Sequence, residues 1–218
     1  MRHDTTYAAL FTASLLLAAC GGADSGGADT GAEAEAAGAG EAMGTTADLS
    51  CYLQGATADE AEQRPSPLEQ TTFTFEGGQG LLCYGAPSAR GREMVGGVDP
   101  YGQPWRTGAN EATAIHLSAP ATIGGVSLDA GSYSLYTIPS EDQWEVFINS
   151  NWQRWGIPIS DEVRATDVGS FTVTPEPTDG HVETLTFSFE PNADGTGGDI
   201  VMEWEDTRLR IPVSGGGM

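Results

Sequence analysis

Apolar and hydroxyl-bearing residues take turns along Thr184-Leu185-Thr186-Phe187-Ser188-Phe189. That period of two places one set on each face of an extended strand. The same rhythm marks strand-like runs at 71–75, 81–84, 112–118, 121–123, 132–138, 143–149, 170–174, 182–190, 199–204 and 208–213. Gly, Pro, Asn and Asp separate them, and Gly124-Gly125 stands between two such runs as a two-residue hairpin turn does. The glycines of 195–198 suggest a longer loop of the same kind. No segment sustains a 3.6-residue apolar repeat. The pattern predicts an all-β chain: one antiparallel β-sandwich, or flattened barrel, over residues 64–213, with a flexible tail at 214–218.

The start of the chain follows other rules. Arg2 precedes an uncharged, mostly apolar run of 12 residues at 8–19, short of the roughly 20 that span a bilayer. Its length and small-residue exit suit a secretory signal. The exit, Leu17-Ala18-Ala19-Cys20, resembles the bacterial lipobox, which implies cleavage after residue 19 and acylation of Cys20. An ordinary cleaved signal that happens to end at a cysteine is the alternative. Residues 20–63 read as an acidic, Gly- and Ala-rich linker. Within it, residues 21–47 hold no aromatic, no Val, Ile or Leu and no basic residue, a composition that cannot offset its ordering entropy. The expected location is the cell envelope, on the periplasmic side or the outer-membrane surface, with membrane contact through the lipid alone.

Charge narrows the functions further. The chain carries 31 acids against nine arginines and no lysine. Residues 64–218 hold 21 of the acids and eight of the arginines, a net charge of −13. Such a field repels nucleic acid, which needs clustered positive charge. It also predicts that added salt stabilises the domain by screening its self-repulsion. Beyond Cys20 the cysteines are Cys51 and Cys83. In an exported chain an even pair forms a disulfide, here stapling the 49–53 segment to the strand bearing Cys83. Two free thiols are the alternative; a metal pair lacks a histidine or further cysteine at ligand spacing.

One region breaks the rhythm. Residues 85–108 (GAPSARGREMVGGVDPYGQPWRTG) hold three prolines and six glycines without clean alternation. Loops this long inside a compact domain are often functional. Tyr84-Gly-Ala-Pro-Ser-Ala-Arg-Gly-Arg92 and Pro100-Tyr-Gly-Gln-Pro-Trp-Arg-Thr-Gly-Ala-Asn-Glu-Ala-Thr113 resemble successive signatures of the bacterial family known as domain of unknown function 2911. Arg64-Pro65-Ser66-Pro67, Ala130–Pro139, Trp144–Asn149, Trp155-Gly156, Leu185–Phe189 and Met202–Trp204 continue the likeness. The resemblance implies an exported or lipid-anchored protein and supplies neither activity nor substrate.

Within the excursion, Arg90, Arg92 and Arg106 gather three of the domain's eight positive charges. A planar guanidinium grips a carboxylate bidentately and stacks on aromatic faces. Arg92 and Arg106, oriented by Asn110 and Glu111 and flanked by Trp105, therefore form a candidate site for a small polar, acidic or glycan ligand. The competing reading is structural: an Arg106–Glu111 or Arg92–Glu111 ion pair pins the loop, with Trp105 in the core. The two readings differ in outcome. At a functional site Arg106→Ala abolishes binding at nearly unchanged melting temperature; an ion pair makes it strongly destabilising.

Other candidates are thinner. Trp152 and Trp155, near Asn149 and Asn151, suggest a sugar-stacking platform, or a plug at one end of the sandwich. His116 and His181 lie in or beside strands without metal-ligand spacing and read as structural or surface histidines. Asn192-Ala-Asp194-Gly-Thr196 followed by Glu203 echoes a calcium loop only loosely. No GxSxG elbow is present. The sequence thus supports a binding or scaffolding module for such a ligand or for a partner protein, with no cofactor, metal or catalytic residue assigned. The alternative is an envelope hydrolase of glycans or peptides using Glu111, which would need a second carboxylate such as Asp99 or Glu93.

Overall fold

The computed structural model describes residues 49–217. The expected signal, Cys20 and most of the linker lie outside the described residues. Among those described, no helix is long and apolar enough to cross a membrane.

The period-two runs form strands. β1 (Leu68–Phe75), β2 (Gly78–Gly85), β3 (Ala109–Leu117), β6 (Gly131–Ile138), β7 (Trp144–Asn149) and β8 (Asp167–Val173) build one sheet in the order β1-β2-β3-β6-β7-β8. β4 (Ala121–Ile123), β5 (Val126–Leu128), β9 (Glu176–Pro191) and β10 (Gly197–Gly215) build a second, ordered β5-β4-β10-β9. Every strand pairing is antiparallel. Gly124 and Gly125 turn β4 into β5 with φ of 58° and 87°, a conformation that side chains resist. The sandwich is therefore as the alternation predicts.

Alternation also fixes the core. Phe73 and Phe75 of β1, Ile115 of β3, Leu135 of β6, and Trp144 and Ile148 of β7 form one buried cluster with Leu185 and Phe187 of β9 and Ile200, Met202 and Trp204 of β10. Each such side chain removed from water contributes roughly 1.5–3 kcal/mol before chain entropy is counted. Thr72 and Thr74, on either side of Phe73, stay on the open side.

Three boundaries differ from the sequence expectation. First, the linker does not extend to residue 63. Cys51 is bonded to Cys83, and α1 (Ala58–Glu62) forms behind a Thr57–Glu60 capping box with Ala61 buried. The disulfide and this cover suppress the disorder that composition suggested, and they lie over the outer face of the six-stranded sheet. The outer faces of β3, β6 and β7 are covered further by residues 150–167, with Trp152 on His116, Asn151 O accepting from Ser134 and Arg164 over Phe147, so these strands are buried on both faces instead of alternating. Second, the runs at 199–204 and 208–213 are one strand, interrupted at Glu205 by shifts of register against β9. Third, the tail is not loose from residue 214: Ser214 and Gly215 pair with Thr122 and Ala121, and Gly216 N–H donates to Pro120 O at 2.9 Å.

Candidate functional site

The proline- and glycine-rich excursion between β2 and β3 is fastened to the sandwich at three places. At the first, Ala89 N–H donates to Glu183 O (2.8 Å) and Leu185 N–H to Pro87 O (2.9 Å), so the loop caps the edge of β9. At the second, the carboxylate of Glu205 accepts from the N–H groups of Met94 (2.9 Å) and Val95 (2.8 Å). Glu205 reaches them because β10 bulges there, with Glu205 at φ 52°. At the third, Trp105 and Thr137 exchange both backbone hydrogen bonds, at 2.7 and 2.9 Å. Trp105 stacks on Trp204 (centroids 5.4 Å, planes 16° apart) and meets Trp144 edge-on.

Three non-glycine residues in and beside this loop hold positive φ: Arg90 (53°), Thr107 (54°) and Asn110 (63°). For β-branched Thr107 the conformation is strained, and it is offset by burial. Its hydroxyl bonds to Thr137 Oγ1 at 3.0 Å and its carbonyl accepts from Thr113 Oγ1 at 2.8 Å. Strain of this kind collects at functional sites.

Between loop and sandwich lies a half-open cleft of about 230 Å³. Arg92, Asp99 and Arg106 supply its charges, Met94 and Val98 an apolar wall, and the Trp105–Trp204 stack its base. Arg92 donates to Ala89 O (2.9 Å) and Ser88 O (3.2 Å); Arg106 donates to Gly108 O (3.1 Å) and Asn110 O (3.3 Å). These partners are carbonyls, so neither positive charge is cancelled by an ion pair among the described residues. Nη1 of Arg92 and Nη2 of Arg106 are likewise without a hydrogen-bond partner among them. Burial lowers the pKa of Arg106 from its usual value, with Asp99 and Glu111 opposing, yet a guanidinium stays protonated. Burial also pushes Asp99 up to about 6, while Arg106 and Arg92 pull it down and Glu205 pushes it further up. The indole N–H of Trp204, buried beneath the cleft, has no partner among the described residues.

The five residues expected to form one site are thus divided. Arg92, Trp105 and Arg106 line the cleft. Asn110 and Glu111 instead line a neighbouring space of only about 10 Å³, room for roughly one water. Asn110 donates to Ser66 O at 2.8 Å and so ties down the chain entering β1. Glu111 is paired with Arg64 at 2.7 Å, and neither of the expected Glu111 ion pairs, with Arg92 or Arg106, is formed. The reason is local. Arg154–Gly156 pairs along the first half of β3, with Ala112 N–H to Arg154 O (3.1 Å) and Gly156 N–H to Asn110 O (2.8 Å). There, Arg64 approaches both Glu111 and the ring of Trp155, 6.0 Å from its centroid.

Arg106 has a structural duty as well. A Cβ on Gly156 would meet its Cδ at 2.4 Å, so the side chain is packed as well as hydrogen-bonded. For the hydrolase alternative, Glu111 is paired with Arg64 and lines a different space from Asp99, and Glu93 is in the lining of neither. The calcium-like loop is a hairpin whose Asp194 carboxylate accepts from Thr196 N–H and Oγ1, while Glu203 is bound to Arg208. Among the described residues no group of three or more His, Cys, Asp or Glu is gathered for a metal.

Sequence reasoning overlooked Glu205, Trp204 and Arg64 and ranked Asp99 low. The gap in alternation at 205–207 was the one visible signal, since a bulge aims a side chain off the sheet.

The family model described as "Protein of unknown function (DUF2911)" matches residues 66–213. No curated protein and no solved structure matches the chain.

Proposed function

The chain belongs to the DUF2911 family, and from that premise we propose a binding module that holds a small carboxylate-bearing ligand in the Arg92–Arg106 cleft. One observation carries the reading. In a domain of net charge −13, two guanidinium groups line one cavity without an ion pair among the described residues. A carboxylate is the group their planar forks fit best. Met94, Val98 and the tryptophan stack favour a ligand whose remainder is apolar or planar.

The test is calorimetric titration with benzoate at low ionic strength. Arg92→Gln is the informative variant, because Arg92 is exposed and anchors only its own turn. The expected result is saturable binding that weakens at least about tenfold in the variant at unchanged melting temperature. Absence of saturable binding, or equal binding by both proteins, refutes the reading.

The module also belongs, in this proposal, at the cell envelope as a lipoprotein. The support is the Leu17–Cys20 exit and the polar linker after it. Metabolic labelling with an alkynyl fatty acid should tag the wild-type chain and leave Cys20→Ser untagged; equal labelling would refute the anchor.

A further inference from the structure

His116 lies in the second half of β3, opposite Ser132 of β6 across the ladder. The two side chains share a hydrogen bond of 2.7 Å between Nδ1 and Oγ. Burial depresses the imidazole pKa, with no carboxylate contributing, so the ring is neutral at pH 7. Its Nε2 is buried and has no hydrogen-bond partner among the described residues. Trp152 covers the ring edge-on, with centroids 5.1 Å apart, and is itself held by Tyr52 at 6.1 Å.

Beside this pair is an open cavity of about 410 Å³, lined by Leu49, Ser50, His116, Ser118, Ser132 and Trp152 among others. That volume falls in the range of about 300–1,000 Å³ usual for small-molecule sites. Among the described residues its lining contains no Asp, Glu or Arg, on a domain where acids outnumber arginines by 21 to eight. The polar groups are three serine hydroxyls and a neutral imidazole. The Ser118 oxygen accepts from Gln79 N–H at 2.9 Å, which leaves its own O–H to donate. The Leu49–Ser50 wall is held in place by the adjacent Cys51–Cys83 disulfide.

We propose that this charge-free cavity is a second binding site, for a neutral sugar residue, separate from the arginine cleft. Serine hydroxyls exchange hydrogen bonds with sugar hydroxyls without selecting for charge, and the uncharged His116 ring, its Nδ1 held by Ser132, adds no charge to the wall. The indole of Trp152 supplies an apolar surface for the C–H face of a pyranose. The Trp152–Trp155 platform suggested by the sequence is thereby corrected to Trp152 alone, since Trp155 sits by Arg64 and Glu111. Asn149 is not a partner either. It is fully buried and donates to Val163 O and Asp167 Oδ1.

Saturation-transfer NMR and calorimetry on the full chain, with N-acetylglucosamine as the neutral probe and glucuronate as its charged counterpart, test the site. Saturable binding of N-acetylglucosamine is expected, lost by about tenfold or more in Trp152→Ala. Because Trp152→Ala also removes packing from Tyr52 and His116, Ser50→Phe serves as a second variant. It fills the cavity from an exposed position and should block the probe while the fold is retained. Arg92→Gln should leave N-acetylglucosamine binding unchanged, which separates this site from the benzoate site. The proposal is overturned by absence of saturable binding, by binding that survives both cavity variants, by loss of binding in Arg92→Gln, or by tighter binding of glucuronate at the same site.

Discussion

Arginine is handled in two opposite ways on this molecule. On the open face of β10, Arg208 is clamped by Glu203 (2.7 Å) and Asp179 (3.1 Å), and Arg210 by Glu176, Glu190 and Asp199. In the loop, Arg92 and Arg106 spend their hydrogen bonds on backbone carbonyls, which orient a guanidinium without neutralising it. The antiparallel pairing of β9 with β10 brings Glu176, Asp179 and Glu190 of β9 within reach of Arg208 and Arg210, while Glu203 and Asp199 come from β10 itself. In the second, Glu205 and Glu183 are occupied by main-chain N–H groups of the loop, and Asp99 lines the cleft without forming an ion pair with either arginine. Positive charge is consumed on the sheet and kept available in the cleft.

The largest effect should come from the clamp that holds the loop. Glu205→Ala orphans the amides of Met94 and Val95, and hydrogen bonds to a charged acceptor are worth about 1.5–3 kcal/mol each. Urea denaturation should show a loss of about 3 kcal/mol together with loss of benzoate binding. A folded variant with intact binding would mean that the loop does not need its anchor.

Arg106→Ala should cost both functions at once: benzoate binding, and about 1–3 kcal/mol of stability, because the side chain carries two carbonyls and packs against Gly156. The clean separation expected from sequence therefore fails at Arg106 and should survive at Arg92.

Asp99 sharpens the contrast through pH. Its folded pKa of about 6 exceeds the ordinary 3.8, so in that window the folded chain holds a proton that the unfolded chain has released. Stability accordingly falls as pH rises from about 4 to 6 and stays lower above it. Asp99→Asn should raise stability at pH 7 by about 1 kcal/mol, after allowance for solvent screening of a half-exposed group, and leave pH 4 unchanged. Protonation also removes the one negative charge in the cleft. Anion binding should strengthen as pH drops through 6, and Asp99→Asn should flatten that dependence in calorimetric titrations between pH 5 and 8.

The smallest effect belongs to the sheet. Arg208→Gln breaks ion pairs at the surface, should change the melting temperature little, and should leave benzoate affinity untouched. A melting temperature that fails to rise from low to molar salt would count against self-repulsion among the domain's acids.

What was legible in the sequence follows the same division. Strand rhythm is a local property, so Thr71–Phe75, Leu185–Phe189 and the Gly124-Gly125 turn were readable from neighbours alone. The cover over β3, β6 and β7 was not, because it depends on contacts between separate segments, such as Tyr52 on Trp152, Trp152 on His116 and Arg164 on Phe147. The site was half legible. Composition drew attention to Arg92, Trp105 and Arg106, whereas the assignment of Glu111 to Arg64 depends on Arg154–Gly156 pairing with β3, some 45 residues away.

The most direct test follows the guanidinium Nε–Hε resonances of the arginines by ¹⁵N NMR during a benzoate titration. The account predicts saturable shifts for Arg92 and Arg106, sharing one dissociation constant, while Arg208 and Arg210 stay still. Shifts of equal size on the sheet arginines, or none in the cleft, would contradict it.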